Sequence, residues 1–145
     1  MFSDKYQLEM EVIMDGLVKN HGFYKVTEEG VDKVVISCDS GVYIFIPPDA
    51  PGKKWEILPL LNTPASDAVL VDLDEDGVDE LAVISPFHGD TIRIYRQVDG
   101  KFETAYTYEK KAEFAHSIYG GMLGGKPAVI IGHREGNVIN FSKKK

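Results

Sequence analysis

The sequence predicts an all-β fold built from repeated four-stranded antiparallel units. Short runs rich in β-branched residues, such as VYIFI, LAVIS and TIRIY, are each bounded by Gly, Pro, Asp or Asn. A segment near the start of the chain recurs further along, with its turns in the same places. Because AVLV and LAVIS are apolar on both faces, we expect them to be strands packed between neighbouring sheets.

The repeat appears when the chain is shifted so that Gly30 falls on Gly77. Residues 26–37, VTEEGVDKVVIS, then match residues 73–85, LDEDGVDELAVIS, and each match is followed by a turn, a strand, a second turn and another strand. A third copy begins at residues 116–132, HSIYGGMLGGKPAVIIG, and runs into NVINFS without a fourth strand. The sequence therefore contains two complete units and one that lacks its last strand.

Four antiparallel strands in about 40 to 50 residues are the signature of a β-propeller blade. We assign residues 17–61 to a first blade, 62–110 to a second and 111–145 to an incomplete third. Residues 5–13, KYQLEMEVI, resemble the fourth strands and are predicted to be an outer strand that completes a blade. Since propellers have about 4 to 8 blades, we expect either a homodimer that forms a six-bladed ring or a piece of a longer propeller.

Composition limits the classes of partner. A net charge of −7 and a pI near 5.0 argue against nucleic acid, because phosphate binding requires a basic face. The single Cys38 is predicted to be a buried, structural thiol. No apolar run approaches the roughly 20 residues of a membrane span, and the first residues lack an export signal. We therefore expect a cytoplasmic protein, or an extracellular one if the chain belongs to a longer secreted protein.

The most distinctive stretch is residues 72–81, DLDEDGVDEL, in which acidic side chains surround Gly77. Carboxylates at alternate positions of a tight loop converge on one point, and glycine permits the positive φ of the turn. Several hard oxygen ligands favour Ca²⁺ over a transition metal. The pattern therefore predicts a calcium loop.

This stretch resembles the calcium loop of FG-GAP (VCBS-like, integrin-α-like) propeller blades, Asp-x-Asp-x-Asp-Gly-x-x-Asp/Glu-Leu. The resemblance implies one structural Ca²⁺ that joins the first two strands of the second blade. The implied ligands are the carboxylates of Asp72, Asp74, Asp76 and Glu80 and the main-chain carbonyl of Val78.

Two alternatives compete with this interpretation. An EF-hand opens in the same way but requires a bidentate Glu at its twelfth position, which here is Val83. The loop can also be a hairpin turn whose acidic residues serve only solubility. The first copy has Lys25 and Lys33 among the equivalent positions, and the third copy, YGGMLGGKP, has no carboxylate, so we expect at most one blade to bind metal.

A second candidate site lies where the first strand of each blade begins. The equivalent positions contain His21, Asp67 and His116, which we expect near the central channel, where they can bind a ligand, a sugar or a divalent metal. The alternative is that polar residues line this channel because it contains water. His88 and His133, at equivalent second turns, are predicted to be surface residues.

These observations leave two functional hypotheses. The first is a non-catalytic, calcium-binding propeller scaffold that binds a protein or glycan. The second is a carbohydrate-active, lyase-like enzyme whose His21, Asp67 and His116 act at the channel.

Overall fold

The computed structural model describes residues 10–134 and 138–142, which form eleven strands in three antiparallel sheets. The first sheet contains β1 (Gly22–Glu28), β2 (Val31–Cys38), β3 (Gly41–Ile46) and β4 (Glu56–Leu61). The middle sheet contains β5 (Asp67–Val71), β6 (Glu80–Ser85), β7 (Thr91–Val98) and β8 (Lys101–Thr107). The third sheet contains β9 (Ala115–Leu123), β10 (Lys126–His133) and β11 (Val138–Phe141). The all-β prediction is confirmed.

Each sheet is a meander in which consecutive strands pair in chain order. Two-residue turns join β1 to β2 at Glu29-Gly30, and β7 to β8 at Asp99-Gly100, with positive φ at all four residues. Such turns match the twist of antiparallel strands, and an Asp-Gly or Glu-Gly pair places glycine where positive φ is least costly. The turn residues thus fix the register of each hairpin.

Strands β5 and β6 of the middle sheet are buried on both faces, as their apolar sequences predicted. One face, with Val69, Ala82, Ile84 and Ile92, packs in a cluster with Val129 and other residues of the third sheet. The opposite face packs against the first sheet, in a cluster that includes Val35, Val42, Ala68, Leu70, Leu81 and Val83. Each fully buried Val, Leu or Ile contributes about 1.5–3 kcal/mol to the free energy of unfolding, so these two interfaces hold the sheets together.

The first strand of the middle sheet lies between the first and third sheets. β5 contacts β1 on one side and β9 on the other. Gly120 in β9 permits this approach, because a Cβ there would lie 2.8 Å from a methyl group of Val69. The Tyr24 hydroxyl, from β1, donates a hydrogen bond of 2.6 Å to the Gly120 carbonyl and links the first and third sheets directly.

Three further sequence predictions concern Cys38, the outer strand at residues 5–13 and the third sheet. Cys38 is fully buried, as expected. Residues 5–9 of the predicted outer strand lie outside the described residues, and residues 10–13 are not in a strand. The third sheet has three strands within the described part of the chain. No helix in residues 10–134 or 138–142 has the length and apolar character needed to cross a membrane.

Candidate functional site

The acidic loop connects β5 to β6 and is folded by its own side chains. Both carboxylate oxygens of Asp72 accept hydrogen bonds, from the main-chain N–H of Asp76 at 3.1 Å and of Gly77 at 2.9 Å. Gly77 has φ of 90° and Glu75 has φ of 63°, which reverse the chain within the loop. The loop is thus longer than the two-residue turn of the first sheet and curls around its first carboxylate.

Three of the four predicted carboxylates converge. Oxygens of Asp72, Asp74 and Glu80 all lie within 4.8 Å of one another. Glu80, the first residue of β6, is 9% exposed, and its Oε2 accepts a 2.8 Å hydrogen bond from the Leu73 N–H. Asp76 is outside this group and instead accepts a 2.8 Å hydrogen bond from the Val78 N–H. The role of the Val78 carbonyl stays a prediction.

The carboxylates of this loop are in an unfavourable electrostatic environment. Burial raises the pKa of Glu80, and the neighbouring Asp74, Asp76 and Asp72 raise it further. The pKa of Asp79 is raised by burial and then by the charges of Glu28 and Asp72. A divalent cation between the oxygens of Asp72, Asp74 and Glu80 would remove this repulsion, and an all-oxygen donor set fits Ca²⁺.

A histidine cluster lies where the three sheets meet. His21 immediately precedes β1, and His116 lies at the start of β9, so the structure brings these two predicted residues together with ring centroids 5.3 Å apart. His88, from the turn between β6 and β7, completes the cluster. One ring nitrogen from each of the three histidines lies within 4.8 Å of the other two. The prediction of His88 as a surface turn residue missed this contact.

No protein-family profile, curated protein or solved structure matches this chain. Function therefore has to be inferred from the geometry of its own residues.

The position of His88 follows from the meander. In a meander the turn between the second and third strands lies at the same end as the start of the first strand. Residues 86–90 of one sheet therefore lie beside residues at the first-strand entries of the neighbouring sheets. The pKa of His88 is lowered by desolvation and by the neighbouring His21 and His116. The alignment of the repeats places the turn PFHGD between the second and third strands of its unit, and this position could have predicted that His88 lies near the strand entries.

Asp67, the third predicted channel residue, lies beside the cluster and is not part of it. Its Oδ1 accepts a 3.0 Å hydrogen bond from the Ala68 N–H, and its Oδ2 accepts one of 3.3 Å from the Ile118 N–H of β9. Burial raises the pKa of Asp67 to about 6, although these hydrogen bonds and His116 oppose the increase. Asp67 can therefore exchange a proton close to neutral pH.

Proposed function

We propose that the chain is a β-propeller segment that serves as a non-catalytic scaffold, with one structural Ca²⁺, for binding a protein or glycan. The stacking of the sheets supports this proposal. Strands β5 and β6 are covered on both faces, and β5 contacts the first strand of each neighbouring sheet, as the innermost strands of successive blades do. Stacked sheets of this kind present exposed loops and outer strands on which a partner can bind.

The observation that carries the calcium assignment is the convergence of Asp72, Asp74 and Glu80 at the junction of β5 and β6. These carboxylates, with Asp76 and the Val78 carbonyl as further candidate ligands, would hold the ion. The cation would join the end of β5 to the start of β6 and stabilise a hairpin whose acidic side chains repel one another. We assign the ion a structural role, because it would tie two consecutive strands of one sheet together.

Thermal unfolding tests the calcium assignment. With a Kd of about 10⁻⁴ M, about 10 mM Ca²⁺ stabilises the folded state by about 2.7 kcal/mol. For a chain of this size the corresponding increase in Tm over a chelator solution is about 5–10 °C. The substitution Asp74→Asn should abolish the increase, whereas Asp49→Asn, which removes the same charge in an exposed turn, should leave it intact. Equal Tm values of the unmodified protein in calcium and in chelator would refute the assignment.

We also propose that two copies close a six-bladed ring. Large apolar side chains are exposed on the outer sheets, including Phe23 in β1 at 63%, Met122 in β9 at 61% and Val138 in β11 at 71%. Sedimentation equilibrium measures the mass directly, and the ring requires about twice the 16.1 kDa of one chain. A monomer at micromolar concentration would contradict the dimer and favour a piece of a longer propeller.

The second candidate function is a lyase-like enzyme acting on carbohydrate. It is favoured by one observation: Asp67, with a pKa raised to about 6, lies beside the pair His21 and His116. Groups that titrate near neutral pH are suited to proton transfer. If this function is correct, the protein cleaves a polysaccharide, and His116→Ala abolishes the cleavage without lowering the Tm. No cleavage by the unmodified protein is the outcome that the scaffold proposal predicts.

A further inference from the structure

Beyond this proposed function, we propose that His21, His88 and His116 form a transition-metal site that binds Zn²⁺ through three imidazoles and leaves one coordination position open. Each of the three sheets supplies or adjoins one ligand: the entry to β1, the turn between β6 and β7, and the start of β9. The site is separate from the acidic loop, which lies at the other end of β5.

The spacing between one pair of the nitrogens fits a tetrahedral metal, and all three lie within 4.8 Å of one another. Zinc binds imidazole at about 2.0–2.1 Å, so two ligands at a tetrahedral angle have nitrogens about 3.4 Å apart. The Nε2 atoms of His21 and His88 are 3.4 Å apart. The ring planes of His88 and His116 each lie nearly perpendicular to that of His21, at 85° and 82°. The His88 and His116 rings stack on each other at 28°, with centroids 4.9 Å apart, so His21 faces this pair from one side.

The His21 ring is oriented for metal binding by its other nitrogen. Its Nδ1–H donates to the Ser66 carbonyl at 3.3 Å, which leaves the Nε2 lone pair directed toward the other histidines. A main-chain carbonyl that fixes the tautomer of a ligating histidine is the usual outer partner in metal sites.

Main-chain hydrogen bonds hold the other two ligands in register. The turn that contains His88 is closed by a 2.8 Å bond from the Gly89 N–H to the Pro86 carbonyl. The Gly89 carbonyl accepts a 3.0 Å bond from the Ala115 N–H, next to His116. His88 itself has φ of 46°, a left-handed conformation that histidine, asparagine and aspartate adopt more often than other residues with a side chain.

The surroundings favour a borderline metal over Ca²⁺ or Mg²⁺. The grouped ligand atoms are three imidazole nitrogens with no carboxylate among them. The aromatic rings of Phe87 and Phe114 flank the cluster, with centroids 5.4 Å from His21 and 4.7 Å from His88 respectively. Imidazole donors suit Zn²⁺, Cu²⁺ and Ni²⁺, whereas Ca²⁺ requires oxygen donors. Because His116 is exposed, solvent or a small ligand can reach the fourth position.

Calorimetric titration with ZnCl₂ at neutral pH tests the site, with Co²⁺ absorption as a spectroscopic probe of tetrahedral coordination. We expect one Zn²⁺ per chain and a tetrahedral Co²⁺ spectrum. His88→Asn is the informative variant, since asparagine tolerates positive φ and preserves the turn. His88→Asn and His116→Asn should each weaken zinc binding by more than about 100-fold. Replacing a residue that only orients a metal ligand already lowers metal affinity by about 10- to 100-fold, and the loss of a ligand itself should cost more.

Two controls make the outcome decisive. His133→Asn removes the remaining histidine of the chain and should leave the affinity for zinc unchanged. Asp74→Asn should abolish the calcium response and leave zinc binding intact, so the zinc and calcium proposals fail independently. The absence of saturable zinc binding, or an equal loss on substituting His133 and His88, would overturn the inference.

Discussion

The β1–β2 hairpin and the β5–β6 hairpin are equivalent in neighbouring sheets, yet their carboxylates have opposite surroundings. In the first, Lys25 Nζ lies 2.6 Å from Asp32, Thr27 donates to the same carboxylate, and both lower the pKa of Asp32. In the second, burial and neighbouring acids raise the pKa of Glu80, and residues 67–85 contain no Lys or Arg.

The difference indicates how each hairpin compensates its negative charge. Lys25 and Lys33 occupy positions equivalent to Asp72 and Glu80. The first hairpin therefore has lysine side chains where the second has additional carboxylates. The hairpin of the third sheet turns through Gly124-Gly125 and has no acidic residues to compensate. We infer that only the second hairpin needs a cation from solution.

The largest effect is expected for Asp67 in β5. Its pKa is raised from 3.8 to about 6, so its contribution to stability is fully present below about pH 4 and is lost as the pH rises through 6. The difference of about 2 units corresponds to about 3 kcal/mol. Urea unfolding between pH 4 and 8, in chelator, should show a decrease that is smaller by about 3 kcal/mol for Asp67→Asn than for the unmodified protein, the remainder coming from Glu80 and Asp79.

The control for this measurement is Asp49→Asn, which changes an exposed carboxylate and should retain the pH dependence of the unmodified protein. Parallel curves of unfolding free energy against pH for the Asp67→Asn variant and the unmodified protein would show that Asp67 ionises normally.

A smaller effect should follow from giving the second hairpin a lysine. Asp74→Lys introduces a cation beside Asp72 and Glu80, as Lys25 does beside Asp32. In chelator we expect the free energy of unfolding to rise by about 1 kcal/mol relative to Asp74→Asn, with no response to calcium. If the lysine variant is no more stable than the asparagine variant, charge repulsion is not what weakens this hairpin.

The smallest effect is expected from removing a lysine of the first hairpin. Lys33 pairs with Glu28, a residue whose charge also raises the pKa of Asp79. Lys33→Ala should lower the free energy of unfolding by about 0.5 kcal/mol, less in high salt, and leave the calcium-dependent increase in Tm unchanged. A change in the calcium response would mean that the two hairpins are coupled.

The sequence was sufficient to predict those features that depend on local pattern. Strand periodicity and the repeat predicted three antiparallel sheets, and the apolar run around Val83 predicted a strand buried on both faces. The spacing of Asp72, Asp74 and Glu80 predicted their convergence, because all three belong to one loop.

Features that depend on packing between sheets were harder to predict. His88 joins His21 and His116 only because a turn of the middle sheet reaches the strand entries of both neighbours, and no local pattern encodes that distance. Asp76 lies within the acidic motif yet bonds to the Val78 N–H, since side-chain direction depends on the φ and ψ angles of the loop.

The most direct test of the comparison is the number of calcium ions bound per chain, measured by equilibrium dialysis with radioactive Ca²⁺ for the unmodified protein and for Asp74→Asn. One ion per chain, lost in the variant, is the predicted result, because only the second of three equivalent hairpins has converging carboxylates and no lysine. Zero ions, or a bound ion that survives Asp74→Asn, would contradict it.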